Sequence, residues 1–219
     1  MSTATMSSAL VCFLTGLLIL TVVKYNVMIE PTPIYDIVFL FIMMICMYYI
    51  NSITMQSRCG ASNMSQVAAA TFLPWGIMYG LTIGVLYYFQ GWKQPFSNTF
   101  GYMVAILANG VGALLPLLPS QPIQDLILDN PALLLNQFSL VNFDAIFARL
   151  EMQGDEQAVQ AFRNVILLKE LVAESVWYLL VGLVVMTTSY NIVINYQCTL
   201  KDLSPPPEPP PTPSREYSV

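Results

Sequence analysis

The sequence predicts an all-α, multi-pass membrane protein of four to five spans, with a small helical extramembrane insertion and a proline-rich C-terminal tail. Three observations predict it. Residues 67–89, VAAATFLPWGIMYGLTIGVLYYF, run for 23 positions without a formal charge. At about 1.5 Å of rise per residue, such a helix covers a bilayer core of roughly 30 Å. The chain is 56% hydrophobic and 10% charged, against roughly 25% charged in an average soluble domain. One water-soluble core of this size could not hide that much apolar surface. Comparable apolar runs recur at residues 9–23, 34–50, 101–119 and 171–196.

The first run ends at Lys24. No Lys or Arg precedes it, and residues 25–30 offer no small-x-small site, so an uncleaved span is expected rather than a secretory signal. Glu30-Pro31-Thr32-Pro33 reads as a turn, because two prolines remove donors and disfavour helix before them. A second helix follows over residues 34–50, making an antiparallel hairpin with the first. Asp36 at its start complements the helix dipole as an interfacial cap rather than a proton carrier. Residues 51–66 read as a polar connection that includes a glycosylation sequon, Asn63-Met64-Ser65.

The third helix covers residues 67–89. Pro74 is expected to kink it, and Gly76, Gly80 and Gly84 form a small-xxx-small stripe that lets another helix approach closely. Residues 101–119, GYMVAILANGVGALLPLLP, are broken by Asn109, Gly110, Gly112 and Pro116. They read as a spanning helix, a re-entrant segment or a helix buried in protein, with spanning preferred. Residues 120–169 carry three cations and six acids and read as an acidic, helical extramembrane insertion. The last span then takes residues 170–200, with Trp177, Tyr178, Tyr190 and Tyr196 as an aromatic belt. Four regions result: a transmembrane region (1–119), the insertion (120–169), the C-terminal transmembrane helix (170–200) and the tail (201–219). The tail, with its tract from Pro205 to Pro213, is expected to be polyproline II, either as a semi-rigid solvated extension or as a ligand for a neighbouring protein.

Charge does not orient the chain, because the eight Lys and Arg residues are scattered over both sides in either span count. A net charge of −5 argues against a nucleic-acid partner. The chain has no histidine, no Gly-rich phosphate loop and no nucleophile–base set, so no catalytic residue, cofactor or metal is expected. Cys12 and Cys46 lie in apolar runs as small hydrophobes, and the spacing of the four cysteines fits no zinc pattern. Glu170 and Glu174 share a helix face four residues apart. They read as a solvated helix start neutralised by Arg163 and Lys169, and as an ion path if they lie deep in the bilayer.

The most distinctive string is residues 90–102, QGWKQPFSNTFGY, between two apolar runs. Its aromatic residues suit a membrane surface, while Ser97, Asn98 and Thr99 can cap the next helix. The string reads as an interfacial loop with a helix cap, or as a docking surface for a partner at the lipid boundary.

Gly91-Trp92 followed by Pro95–Tyr102, with Leu73-Pro74-Trp75 upstream, resembles a motif of membrane proteins from large icosahedral double-stranded DNA viruses of eukaryotes. A Pro often precedes the Gly-Trp pair in that group, where this chain has Gln90. The resemblance covers residues 70–112. It implies a minor capsid protein of the virion's internal membrane, which anchors that lipid layer to the overlying capsid shell. The implied partners are the lipid bilayer and capsid or other minor capsid proteins, and the resemblance marks Trp92, Pro95, Phe96, Asn98, Phe100 and Gly101 as the candidate structural and partner-docking motif. The competing expectation is a small pore or transporter using residues 101–119 with Glu170 and Glu174. A membrane-bound enzyme has the weakest support, since no catalytic constellation is present.

Overall fold

In the computed structural model, residues 2–27, 32–60 and 63–198 are described, with the side chains of residues 2–6 excepted. The tail at 201–219 therefore lies outside the described residues. Among the described residues there is no strand.

Four helices among the described residues are long and apolar enough to cross a membrane: α1 (Ser2–Val27), α2 (Ile34–Cys59), α3 (Met64–Tyr88), and a last helix, Glu156–Ile194. Between them lie α4 (Gln90–Leu107), α5 (Gly110–Leu117), α6 (Gln121–Asp129), α7 (Ala132–Leu135) and α8 (Phe143–Arg149), which makes the last helix α9. The four long helices alternate in direction and bury a common core that includes Phe13, Phe39, Met43, Trp75, Tyr79 and Tyr178. Trp75 and Tyr79 are fully buried, and the Tyr79 and Tyr178 rings stack with centroids 5.2 Å apart. Tyr178 is thus a core residue and not part of an aromatic belt.

Local chemistry sets the helix ends. Gly60 terminates α2 in the left-handed region (φ 71°), with its N–H donating to the Gln56 carbonyl. The helix therefore continues through residues 51–59, where the polar composition suggested a connection. Its inward polar residue, Asn51, has hydrogen-bond partners within the bundle: Nδ2 donates to Thr71 Oγ1 at 2.9 Å and to Ser189 Oγ at 2.8 Å. Between membrane helices such bonds hold the packing together. Asn63 caps α3, its side chain accepting from the Gln66 amide. Pro74 leaves α3 a single span and is followed by a π-helical turn at Trp75–Tyr79, which absorbs the missing backbone donor. Asp155 caps α9, accepting from the Ala158 amide at 2.7 Å.

The broken segment bends by 84° between α4 and α5, at Asn109 in the left-handed region (φ 59°). Both arms pack along the first half of α9: Gly101 sits against the Lys169 backbone and Gly110 against Val165. The described residues thus hold four straight candidate spans, or five if the bent pair counts as one.

With 39 residues, α9 is about 58 Å long at about 1.5 Å per residue, well over the roughly 30 Å of a bilayer core. The boundary expected at 169/170 falls inside this continuous helix. Its first half anchors a second core, containing Leu114, Leu135, Phe138, Phe143, Phe162 and Ile166. That core unites residues 102–152 with the first half of α9 into a helical cap on the bundle, so the cap takes in most of residues 101–119 as well as the acidic insertion.

At the opposite end of the bundle, Cys59 and Cys198 form a disulfide across 139 residues, tying the end of α2 to the chain leaving α9. Cys12 and Cys46 are free thiols whose sulfurs lie 3.1 Å apart between α1 and α2. Among the described residues, no helix packs closely along the glycine stripe. Gly80 meets only Leu40 Cδ2, at 3.8 Å, and the Cβ positions of Gly76 and Gly84 point into open space.

Candidate functional site

Charges from four separate segments converge where the bundle meets the cap. Lys24 comes from the last turn of α1, Asp36 from the first turn of α2, Lys93 from the first turn of α4 and Glu174 from the middle of α9. Lys24 Nζ lies 2.9 Å from both carboxylate oxygens of Asp36 and also pairs with Glu174 Oε1. Lys93 Nζ donates to the other oxygen of Glu174 at 2.8 Å. One carboxylate thus bridges two ammonium groups, and each of the four side chains is no more than 10% exposed.

A second layer lies one turn toward the cap. Glu170 accepts from the Leu140 amide at 3.0 Å, and Lys169 Nζ donates to the carbonyls of Leu135 at 2.8 Å and Phe138 at 3.1 Å. Lys24, Lys93 and Lys169 formally balance Asp36, Glu170 and Glu174. Buried charges persist when paired and hydrogen-bonded in this way. The free space beside them is a cavity of about 20 Å³, room for roughly one water. Among the described residues no group of three His, Cys, Asp or Glu side chains could hold a metal ion.

The docking motif wraps this junction. Trp177 Nε1 donates to the Trp92 carbonyl at 2.8 Å, and the Trp177 ring meets Phe96 edge-on at 5.0 Å and Trp92 at 6.1 Å. Gly101 is buried against α9, where a Cβ would collide with the Lys169 carbonyl. Asn98 is half-buried, whereas Pro95 is exposed and Trp92 and Phe100 are more than half exposed. Phe96 and Gly101 therefore weld α4 to α9, while Trp92, Pro95 and Phe100 remain on the surface. Ser97, Asn98 and Thr99 do not cap a helix. They lie in or next to a π-helical turn, Ser97–Gly101, and the Thr99 hydroxyl donates to the Pro95 carbonyl at 2.7 Å.

Three expectations are corrected here. Asp36 is no interfacial cap: it makes no capping hydrogen bond and is paired inside the protein with Lys24. Glu170 and Glu174 do not form a solvated helix start, because α9 begins at Glu156. Arg163 does not neutralise them, since it pairs with Asp144 and lies over the Phe143 ring. The roles of Lys24 and Lys93 were missed. The available signal was that both flank uncharged apolar runs long enough to carry them into the protein. No family model, curated protein or solved structure matches the chain.

Proposed function

We propose that this chain is a structural anchor of a virion's internal membrane, a minor capsid protein that holds the lipid layer to the overlying shell through its cap. The observation that carries the reading is the continuity of α9 from the bundle into the cap, locked at the junction by the Lys24–Asp36–Glu174–Lys93 network. A helix buried in two successive cores transmits force between lipid and cap without a hinge. The cap also carries apolar side chains suited to a protein partner: Leu126, Leu128, Leu133 and Val141 are all more than half exposed. The viral assignment rests on the resemblance at residues 70–112, and the anchoring role on the geometry.

The pore reading draws on the same acids, yet each of them is engaged. Glu174 binds two lysines and Glu170 a backbone amide, with little water space beside them. A conducting path needs successive sites that an ion can enter and leave.

Photocrosslinkers introduced at Leu128 and Val141 in intact particles test the proposal. Adducts with a shell protein are the expected result. Adducts only with lipid, or with other copies of this chain, would overturn it.

A further inference from the structure

Glu170 separates the one-water space beside Glu174 from a second cavity, of about 210 Å³, on the cap side. Its walls are the first turns of α4, the loop between α7 and α8, and α9 at Lys169 and Glu170. An engineered cavity of about 150 Å³ already takes up a six-membered ring, benzene. This one has room for such a ring, but its lining is polar and includes Gln90, Ser97 and Asn98.

Two of the lining groups are buried yet uncommitted. Ser97 is 5% exposed, and its hydroxyl makes no hydrogen bond among the described residues. Glu170 is 7% exposed and uses only Oε1, on the Leu140 amide. The Ser97 hydroxyl and Glu170 Oε2 both remain accessible. The half-buried carboxamides of Gln90 and Asn98 likewise have no partner among the described residues. A carboxylate oxygen only accepts, whereas a hydroxyl or a carboxamide both donates and accepts. The ligand must therefore bring a donor for Glu170, and donors and acceptors for the other three, which a set of hydroxyl groups does.

Charge narrows the choice further. Lys93 and Lys169 also line the cavity, the first paired with Glu174 and the second bonded to two carbonyls. An ammonium ligand would face these two lysines, and an anion would face Glu170, so an uncharged ligand fits best. Trp92, Phe96 and Trp177 cluster beside the cavity, as aromatic side chains do at headgroup depth.

We propose that this cavity binds a hexose, one hydroxyl donating to Glu170 Oε2 and others exchanging hydrogen bonds with Ser97, Gln90 and Asn98. Two sources present that ring: the headgroup of an uncharged glycolipid, and free sugar.

The test uses the full chain in phosphatidylcholine liposomes with a glucosyl diacylglycerol that carries a diazirine at C6 of the sugar. Ser97 and Glu170 are the diagnostic positions, because their low exposure keeps them from the bulk lipid. Phe100 and Leu107, at 52% and 84%, report nonspecific contact. The expected result is labelling at Ser97 or Glu170 that excess glucosyl diacylglycerol removes and diacylglycerol does not. Competition by free glucose as well assigns the site to the sugar alone, and competition by the glycolipid only assigns it to a membrane headgroup. Ser97→Ala removes the open hydroxyl and should weaken competition about fivefold, the worth of one hydrogen bond. A Cβ on Gly91 meets nothing within 4 Å, so Gly91→Phe places a ring at the cavity wall without a clash and should abolish cavity labelling. Unfolding midpoints close to that of the unaltered chain check the fold of both variants. Label confined to Phe100 and Leu107, equal competition by glucosyl diacylglycerol and diacylglycerol, or cavity labelling that neither variant alters would overturn the proposal.

Discussion

Replacing Glu174 with Gln keeps the shape of the side chain and removes the charge that two lysines share. Lys24 retains Asp36 at 2.9 Å, but Lys93 loses the one ion-pair partner it has among the described residues, which it meets at 2.8 Å. At an effective dielectric of about 20, a pair at that distance attracts by roughly 6 kcal/mol before desolvation is counted. Measured losses on removing one partner of a buried pair are about 3–5 kcal/mol, because the other charge is left uncompensated. For a chain of this size that corresponds to a fall of roughly 6–20 °C in the unfolding midpoint. Thermal unfolding in detergent, followed by tryptophan fluorescence, measures it. The double variant Glu174→Gln/Lys93→Met removes the orphaned ammonium as well, and should recover part of the loss. A shift under 2 °C for Glu174→Gln, or a double variant no better than the sum of the singles, would refute a network that locks bundle to cap.

Other expected outcomes follow from the same geometry. Gly101→Ala forces a Cβ into the Lys169 carbonyl and should cost about 1–3 kcal/mol, read as a lower midpoint and faster protease cleavage between α4 and α5. Cys59→Ser should remove the mobility difference between reduced and non-reduced chain on a denaturing gel, while Cys12→Ser/Cys46→Ser should retain it. Asn51→Leu takes the shared donor from Thr71 and Ser189 and should destabilise the bundle by about 0.6–2 kcal/mol in the same thermal assay. Trp92 is 56% exposed and Lys93 8%, so the two neighbours should separate two properties. Trp92→Ala should impair particle assembly with little change in midpoint, and Lys93→Ala should lower the midpoint.

The four long helices were legible because each carries an apolar run of bilayer length, and that signal needs no knowledge of partners. Their ends were less so. Residues 51–59 look like a loop in composition, but Asn51 satisfies its amide inside the bundle and Gly60 supplies the stop. The start of α9 was placed too late because Lys169, Glu170 and Glu174 resemble a solvated boundary. They are instead held by partners at least 30 residues away in sequence, Leu135 and Phe138 for Lys169, Leu140 for Glu170 and Lys24 and Lys93 for Glu174, and no local pattern reports such pairings. Gly101 and Phe96 were picked out as part of a distinctive string, whereas their packing against α9 emerges only when the 84° bend lays α4 and α5 along that helix. The Cys59–Cys198 pairing was equally hidden, since 139 residues separate its members.

The proposed anchor would tie a lipid layer to a protein shell. Quantitative mass spectrometry of purified particles, before and after lipid is stripped with mild detergent, tests it most directly. An anchor of this kind should stay with the shell, in fixed proportion to shell protein, after the lipid has gone. Release with the lipid, or absence from the particles, would contradict it.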